Sequence, residues 1–173
     1  MNDVLAATVP TPVGDLAVLV HDDVVVAAGF APYAAHFSRL RLDADLRPVR
    51  DLGAFTAAVS AYVDGDLRAL DALPVHQPGG PFRQAVWKVL RDVDPGTTIS
   101  YAELAARAGS PLAARAAGSA CADNLIAPIV PCHRIVRSGV GGRTGGLGGY
   151  YYGLSTKEWL LAHEREHATV RVG

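Results

Sequence analysis

Two β-rich apolar runs, Leu16–Val20 and Val24–Ala28, flank His21-Asp22-Asp23, a pattern that predicts a hairpin. Around Ala34–Leu42 the pattern is too mixed to assign an element. Leu52–Val63 carries Phe55, Val59 and Tyr62/Val63 at helical spacing, which predicts an amphipathic helix ended by Gly65. Leu70–Val75 reads as a returning strand. Nothing in this segment signals chemistry. Its histidines, His21, His36 and His76, are scattered and read as surface residues, and it contains no cysteine.

Gln77-Pro78-Gly79-Gly80-Pro81 has the composition of a linker. Pro81 suits a first helical turn, and Pro81–Asp92 follows as a helix with Phe82, Val86, Val89 and Val93 facing the core. After an Asp94-Pro95-Gly96 turn, Ser100 and Glu103 form a capping box that opens a helix from Tyr101 to about Ala108. Gly109-Ser110-Pro111 then separates it from a second helix, Pro111 to Ala122, with Ser110 as N-cap. Two helices joined by a short Gly-containing turn have the form of a helix-turn-helix. The second is rich in small residues (Ala113, Ala114, Ala116, Ala117, Gly118, Ala120), with Arg115 among them. Such a surface approaches closely either another helix or a nucleic-acid groove. Gly139–Gly149 reads as a loop or wing, lacking the Gly-Lys-Ser/Thr of a phosphate loop. Ser155 and Glu158 form a second capping box, before a helix with Trp159, Leu160 and His163 on one face.

Composition adds limits. Half of the 173 residues are hydrophobic, but no apolar run approaches the roughly 20 residues that span a bilayer. The start of the chain has no basic flank of the kind a signal peptide carries. Two cysteines argue against a disulfide framework and for a reducing cytoplasm. The net charge of −1 divides unevenly: residues 1–79 hold five Arg against ten Asp, and residues 80–173 hold eleven Lys or Arg against seven acids. The mildly basic second half is compatible with a phosphate backbone.

The chemistry concentrates in Ile129-Val130-Pro131-Cys132-His133-Arg134-Ile135-Val136. A strand entering this stretch should stop at Pro131, presenting Cys132 on a rigid turn beside two groups that favour a thiolate. A rival motif, His163-Glu164-Arg165-Glu166-His167, matches the zinc-protease signature. That site needs a third ligand, usually downstream, and none of residues 168–173 is His, Cys, Asp or Glu.

Pro131-Cys132-His133-Arg134 resembles the active-site motif of the O6-alkylguanine-DNA alkyltransferases, also called methylated-DNA–protein-cysteine methyltransferases. The likeness includes Phe82-Arg83-Gln84-Ala85-Val86-Trp87, Ile99-Ser100-Tyr101-Ala102-Glu103-Leu104-Ala105, Ala113-Ala114-Arg115-Ala116, Asn124 and Lys157-Glu158-Trp159-Leu160-Leu161-Ala162-His163-Glu164. It implies an α/β, ribonuclease-H-like N-terminal domain (1–76), a linker (77–81) and a mainly helical, winged-helix-like C-terminal domain (82–173). The implied activity is irreversible, single-turnover transfer of an alkyl group from guanine O6 to Cys132. His133 would be its base through a water, Glu164 would orient His133, and Tyr101 would protonate the leaving guanine. Arg115 would replace the flipped base while Ala113, Ala114 and Gly118 sit in the minor groove. Asn124 would brace the turn, backbone groups at Ile135 and Tyr151 would hold the guanine edge, and Lys157 would support the pocket rim. The implied partner is double-stranded DNA bearing O6-alkylguanine, bound by a monomer without cofactor, metal or membrane. Tyr152 stands where the family often has glycine and is expected to crowd bulky alkyl groups. A lesion-binding protein without repair activity is the alternative, and Cys132 argues against it.

Overall fold

The computed structural model describes residues 2–138 and 146–169. Most of the expected glycine loop, residues 139–145, lies outside the described residues. The chain forms two compact units. One takes the residues up to Gln77 together with Leu125–Ile129, and the other takes Pro78–Asn124 and the chain from Val130 onward.

The first unit is a four-stranded sheet with helices. Its strands are β1 (Asp3–Val9), β2 (Leu16–His21), β3 (Val24–Gly29) and β4 (Asp45–Pro48), in the order β3-β2-β1-β4. β1–β2 and β2–β3 are antiparallel, whereas β1–β4 is parallel. The expected hairpin forms, with Asp22 and Asp23 at φ 50° and 62° in its two-residue turn. Positive φ at both positions matches the twist of the flanking strands, and Asp tolerates it better than most residues. Strands β1 and β4 and helix α1 (Tyr33–Leu40) were not legible as elements. Tyr33, Phe37 and Leu40 of α1 pack against Val4, Ala6, Ala17, Leu19, Val26 and Ala27, and His36 is buried rather than superficial. Helix α2 (Ala54–Val63) forms as expected and buries Val59 and Tyr62.

Two expectations fail here. Leu70–Val75 is mainly turns and forms no strand, with an isolated parallel bridge from Val75 to Val25. Leu125–Ile129 belongs to this unit, not to a continuous C-terminal domain. The Ala28 N–H donates to the Leu125 carbonyl, Ala28 pairs with Ile126, and the Leu125 N–H donates to the Gln77 side chain.

The second unit is mainly helical: α3 (Pro81–Asp92), α4 (Tyr101–Arg107), α5 (Ala114–Ala122) and α6 (Leu154–Thr169). Strands β5 (Ile99–Ser100) and β6 (Ile135–Val136) pair in parallel. Pro81 opens α3, and Ser100 Oγ accepts the Glu103 N–H at 3.1 Å, as the capping pattern predicts. The buried face of α3 is Val86, Trp87 and Leu90, about one residue round from the expected stripe. Trp87 decides this, because its Nε1 donates to the Ala120 carbonyl at 2.9 Å and fixes α3 against α5. The turn between α4 and α5 is longer than expected. Ser110–Ala113 closes on itself through the Ala113 N–H, so α5 starts at Ala114 without a side-chain cap. No described helix is long and apolar enough to cross a membrane.

Candidate active site

Cys132 does not follow a strand. Residues 127–129 form a turn, 130 and 131 are irregular, and Cys132 opens a 3-10 turn, Cys132–Arg134, that leads into β6. The expected strand ending at Pro131 is therefore absent, and Cys132 is presented by turns alone. Asn124 holds the turn from the other side. Its Nδ2 donates to the Val130 carbonyl at 2.8 Å and to Cys132 Sγ at 3.4 Å. One side chain thus ties the point where the chain leaves this unit to the point where it returns.

Behind the cysteine lies a buried charge cluster. His133 and Glu164 are wholly buried, with His133 Nε2 donating to Glu164 Oε1 at 2.7 Å. Arg134 grips the same carboxylate from Nε (3.0 Å to Oε2) and Nη2 (2.9 Å to Oε1), and donates Nη1 to the Val93 carbonyl at 2.6 Å. The Gly96 N–H makes a long contact of 3.5 Å to Oε2. Burial alone would raise the Glu164 carboxyl, but His133 and Arg134 outweigh it and hold the group well below the usual carboxylate range. Burial lowers His133, and the Glu164 carboxylate offsets this only in part. The guanidinium neutralises Glu164 permanently, so His133 rests neutral, with its proton on Nε2. Its Nδ1 is buried, has no hydrogen-bond partner among the described residues, and is the ring nitrogen left to accept a proton.

In front of the cysteine is a cavity of about 430 Å3, walled by Tyr101, Ala114, Gly118, Cys121, Arg137 and Tyr150 among others. Burial pushes the Cys132 thiol up, while the Asn124 hydrogen bond and the Lys157 charge pull it down. Its resting form is therefore the thiol, and attack requires a base. Burial and the two cysteines push Tyr101 up to about 12, which keeps its phenol protonated. Gly148, at φ +74°, lies so close that a Cβ there would sit 3.0 Å from the Tyr101 hydroxyl. Glycine at this position leaves room for that group.

The other expected residues divide. Ala114 and Gly118 line the cavity, and Ala113 immediately precedes α5. Arg115, one residue further, is exposed. Tyr151 is 63% exposed and reaches the cavity wall, but Tyr152 does not line it. Tyr152 instead packs edge-on against Tyr150 and Tyr151, with ring centroids 5.7 and 4.9 Å away, so the expected crowding of bulky groups is not supported. Ile135 is buried, outside the cavity wall. Its N–H donates to the Cys132 carbonyl and its own carbonyl accepts from Lys157 at 2.7 Å. Lys157 is buried and does not itself line the cavity. Its Nζ also donates to the carbonyls of Leu147 (2.5 Å) and Gly149 (3.2 Å), joining β6 to the cavity wall.

Arg134, expected to favour a Cys132 thiolate, instead spends its guanidinium on Glu164. Sequence reasoning missed Cys121 and Arg137, which become visible when the cavity is built. In the rival zinc motif, Glu164 turns to His133 and Arg134 while His163 stacks on Trp159 at 4.6 Å.

A buried thiol and a phenol face one cavity, and behind the thiol stands a neutral histidine held by a carboxylate. Residues 81–166 match the family model described as the 6-O-methylguanine DNA methyltransferase, DNA binding domain. The chain is 42% identical over 112 residues to the methylated-DNA–protein-cysteine methyltransferase of Shigella flexneri, covering 65% of this chain and 63% of that protein's length. To the protein of the same name from Mycolicibacterium paratuberculosis it is 42% identical over 118 residues, covering 66% and 68%. The crystal structure of Mycobacterium tuberculosis OGT in complex with DNA is similar at TM-score 0.76 and 30% identity, over 95% of this chain and 94% of that one. The chain belongs to the O6-methylguanine-DNA methyltransferase family.

Proposed function

We propose that this protein repairs O6-alkylguanine in double-stranded DNA by moving the alkyl group, methyl above all, onto Cys132 irreversibly and once per molecule. The observation that carries the reading is the placement of the Cys132 thiol, the Tyr101 phenol and the small residues of α5 around one cavity, with neutral His133 next in the chain. Family membership and the DNA-bound mycobacterial relative support DNA as the partner.

His133 Nδ1 takes the Cys132 proton through a water, and Glu164 stabilises the imidazolium that results. The thiolate electron pair forms the S–C bond as the C–O6 bond breaks, and Tyr101 gives its proton to the departing guanine. The product is unmodified guanine in DNA and a thioether that no group in the cavity can reverse. A base within a duplex is out of reach, so the lesion turns out of the stack. Exposed Arg115 at the start of α5 fills the gap, with Ala113, Ala114 and Gly118 against the minor groove. Asn124 and Lys157 are positioning residues, and Tyr151 is the contact at the cavity mouth.

The same reading takes the first unit as ribonuclease-H-like and the second as winged-helix-like, with residues 77–81 as the link between them. It places the protein as a monomer in a reducing cytoplasm, where Cys132 stays a free thiol. Chromatography of nucleosides from a methylated duplex tests the function. O6-methylguanine should fall by one equivalent per protein and guanine should rise to match. Loss of the whole lesion nucleotide, or no loss at all, would overturn the reading.

A further inference from the structure

Among the described residues, three cations of the second unit lie about its site, and two of them are fully engaged. Arg134 spends its guanidinium on Glu164 and the Val93 carbonyl. Lys157 is buried and spends its ammonium on three backbone carbonyls. Arg137 is different. It follows β6 directly, is exposed, and forms part of the wall of the Cys132 cavity. Its charge acts on both Tyr101 and Lys157, so it lies within electrostatic reach of the reacting groups. Among the described residues its guanidinium has neither an ion-pair partner nor a hydrogen-bond acceptor.

The remaining wall is neutral: Ala114, Gly118, Ala122, Gly149, two thiols and tyrosines. Such a wall suffices for a methyl group, which needs only space and a near nucleophile. A guanidinium adds nothing for a methyl but presents parallel N–H donors to a carboxylate, the geometry in which arginine binds most selectively. The cavity, at about 430 Å3, accommodates more than a methyl.

We propose that Arg137 is a specificity-determining residue that favours O6-alkyl groups ending in a carboxylate, of which carboxymethyl is the smallest. The inference rests on the alkyl transfer proposed above. The chemistry is unchanged: the Cys132 sulfur forms the bond to the methylene carbon, the C–O6 bond breaks, guanine takes up a proton, and the carboxylate remains on the thioether. The same oxyanion chemistry could be met by a DNA phosphate, and the test separates the two sources.

Single-turnover rates are compared on two duplexes identical except for O6-methylguanine or O6-carboxymethylguanine, for wild type, Arg137→Gln and Arg137→Lys. Both duplexes carry the same phosphates, so the ratio of rates isolates the alkyl carboxylate. Arg137→Gln should lower the carboxymethyl-to-methyl ratio about ten-fold or more, the scale of one charge-assisted hydrogen bond, and Arg137→Lys should keep part of the preference. An unchanged ratio, including equal slowing on both duplexes as a phosphate contact would give, overturns the proposal. If wild type transfers no methyl group at all, the repair reading itself falls and this proposal with it.

Discussion

At the scale of single residues, the account turns on who holds the Glu164 charge. Arg134 supplies two of its hydrogen bonds, and removing one partner of a buried pair costs about 3–5 kcal/mol because the other charge is left uncompensated. Arg134→Ala should therefore lower thermal stability strongly, and it should also change the chemistry. The Arg134 charge lowers His133, so its loss raises the histidine toward protonation. Protonated His133 cannot accept the thiol proton, so the acid limb of the pH–rate profile should move to higher pH in this variant. A limb at the wild-type position would show that His133 is not the base. At the alkaline end, Tyr101 stays protonated to about 12, so the rate should not decline through Tyr101 ionisation between neutral pH and 10. Tyr101→Phe removes the acid and should slow transfer by roughly 10²–10⁴-fold at neutral pH. Glu164 has a depressed folded value, so its contribution to stability is complete above the unfolded pKa near 4.3 and is lost as pH falls below it. Acid melts should show stability declining from about pH 4 downward, and Glu164→Gln should flatten that decline.

At the scale of elements, two tests separate the cavity wall from the helix proposed to face DNA. Gly148 holds φ +74° beneath the Tyr101 hydroxyl, so Gly148→Ala adds backbone strain of about 1 kcal/mol and displaces the phenol. It should slow reaction with a free-base substrate and with duplex DNA alike. Arg115→Ala should behave otherwise. Arg115 lies outside the cavity wall and is exposed, so its loss should slow duplex repair by about 1–3 kcal/mol and leave the free base almost unaffected. Equal slowing on both substrates would make Arg115 a structural residue. Element by element, what could be read from the sequence was what local chemistry encodes. Ser100 with Glu103, Pro81 at a helix start and the Asp22-Asp23 turn each carry their own signal. Helix α1 has a mixed pattern because it is only eight residues long and its inner side includes the polar residue His36 beside Tyr33, Phe37 and Leu40, and α5 starts late because the Ser110–Ala113 turn satisfies its own backbone.

At the scale of the whole molecule, the motif residues were legible because they are contiguous or share a helix. Their partners were not. The exclusion of Leu125–Ile129 from the second unit depends on pairing with Ala28, a contact remote in sequence that no local pattern encodes. Arg134 reaches Glu164 across thirty positions, and Cys121 and Arg137 join the cavity only when α5 and β6 are placed. Tyr152 shows the reverse error: matched to a glycine position, it was expected in the cavity, yet its ring packs against its tyrosine neighbours.

Cys121 makes the central claim sharply testable, because a second thiol lines the same cavity. Burial pushes Cys121 far up, and among the described residues no amide is shown donating to its sulfur as Asn124 donates to Cys132. The decisive measurement is mass spectrometry of intact and digested protein after incubation with excess O6-methylguanine duplex. One methyl per chain is predicted, mapped to Cys132, retained in Cys121→Ala and absent in Cys132→Ala. A methyl on Cys121, or continued turnover beyond one equivalent, would contradict the account.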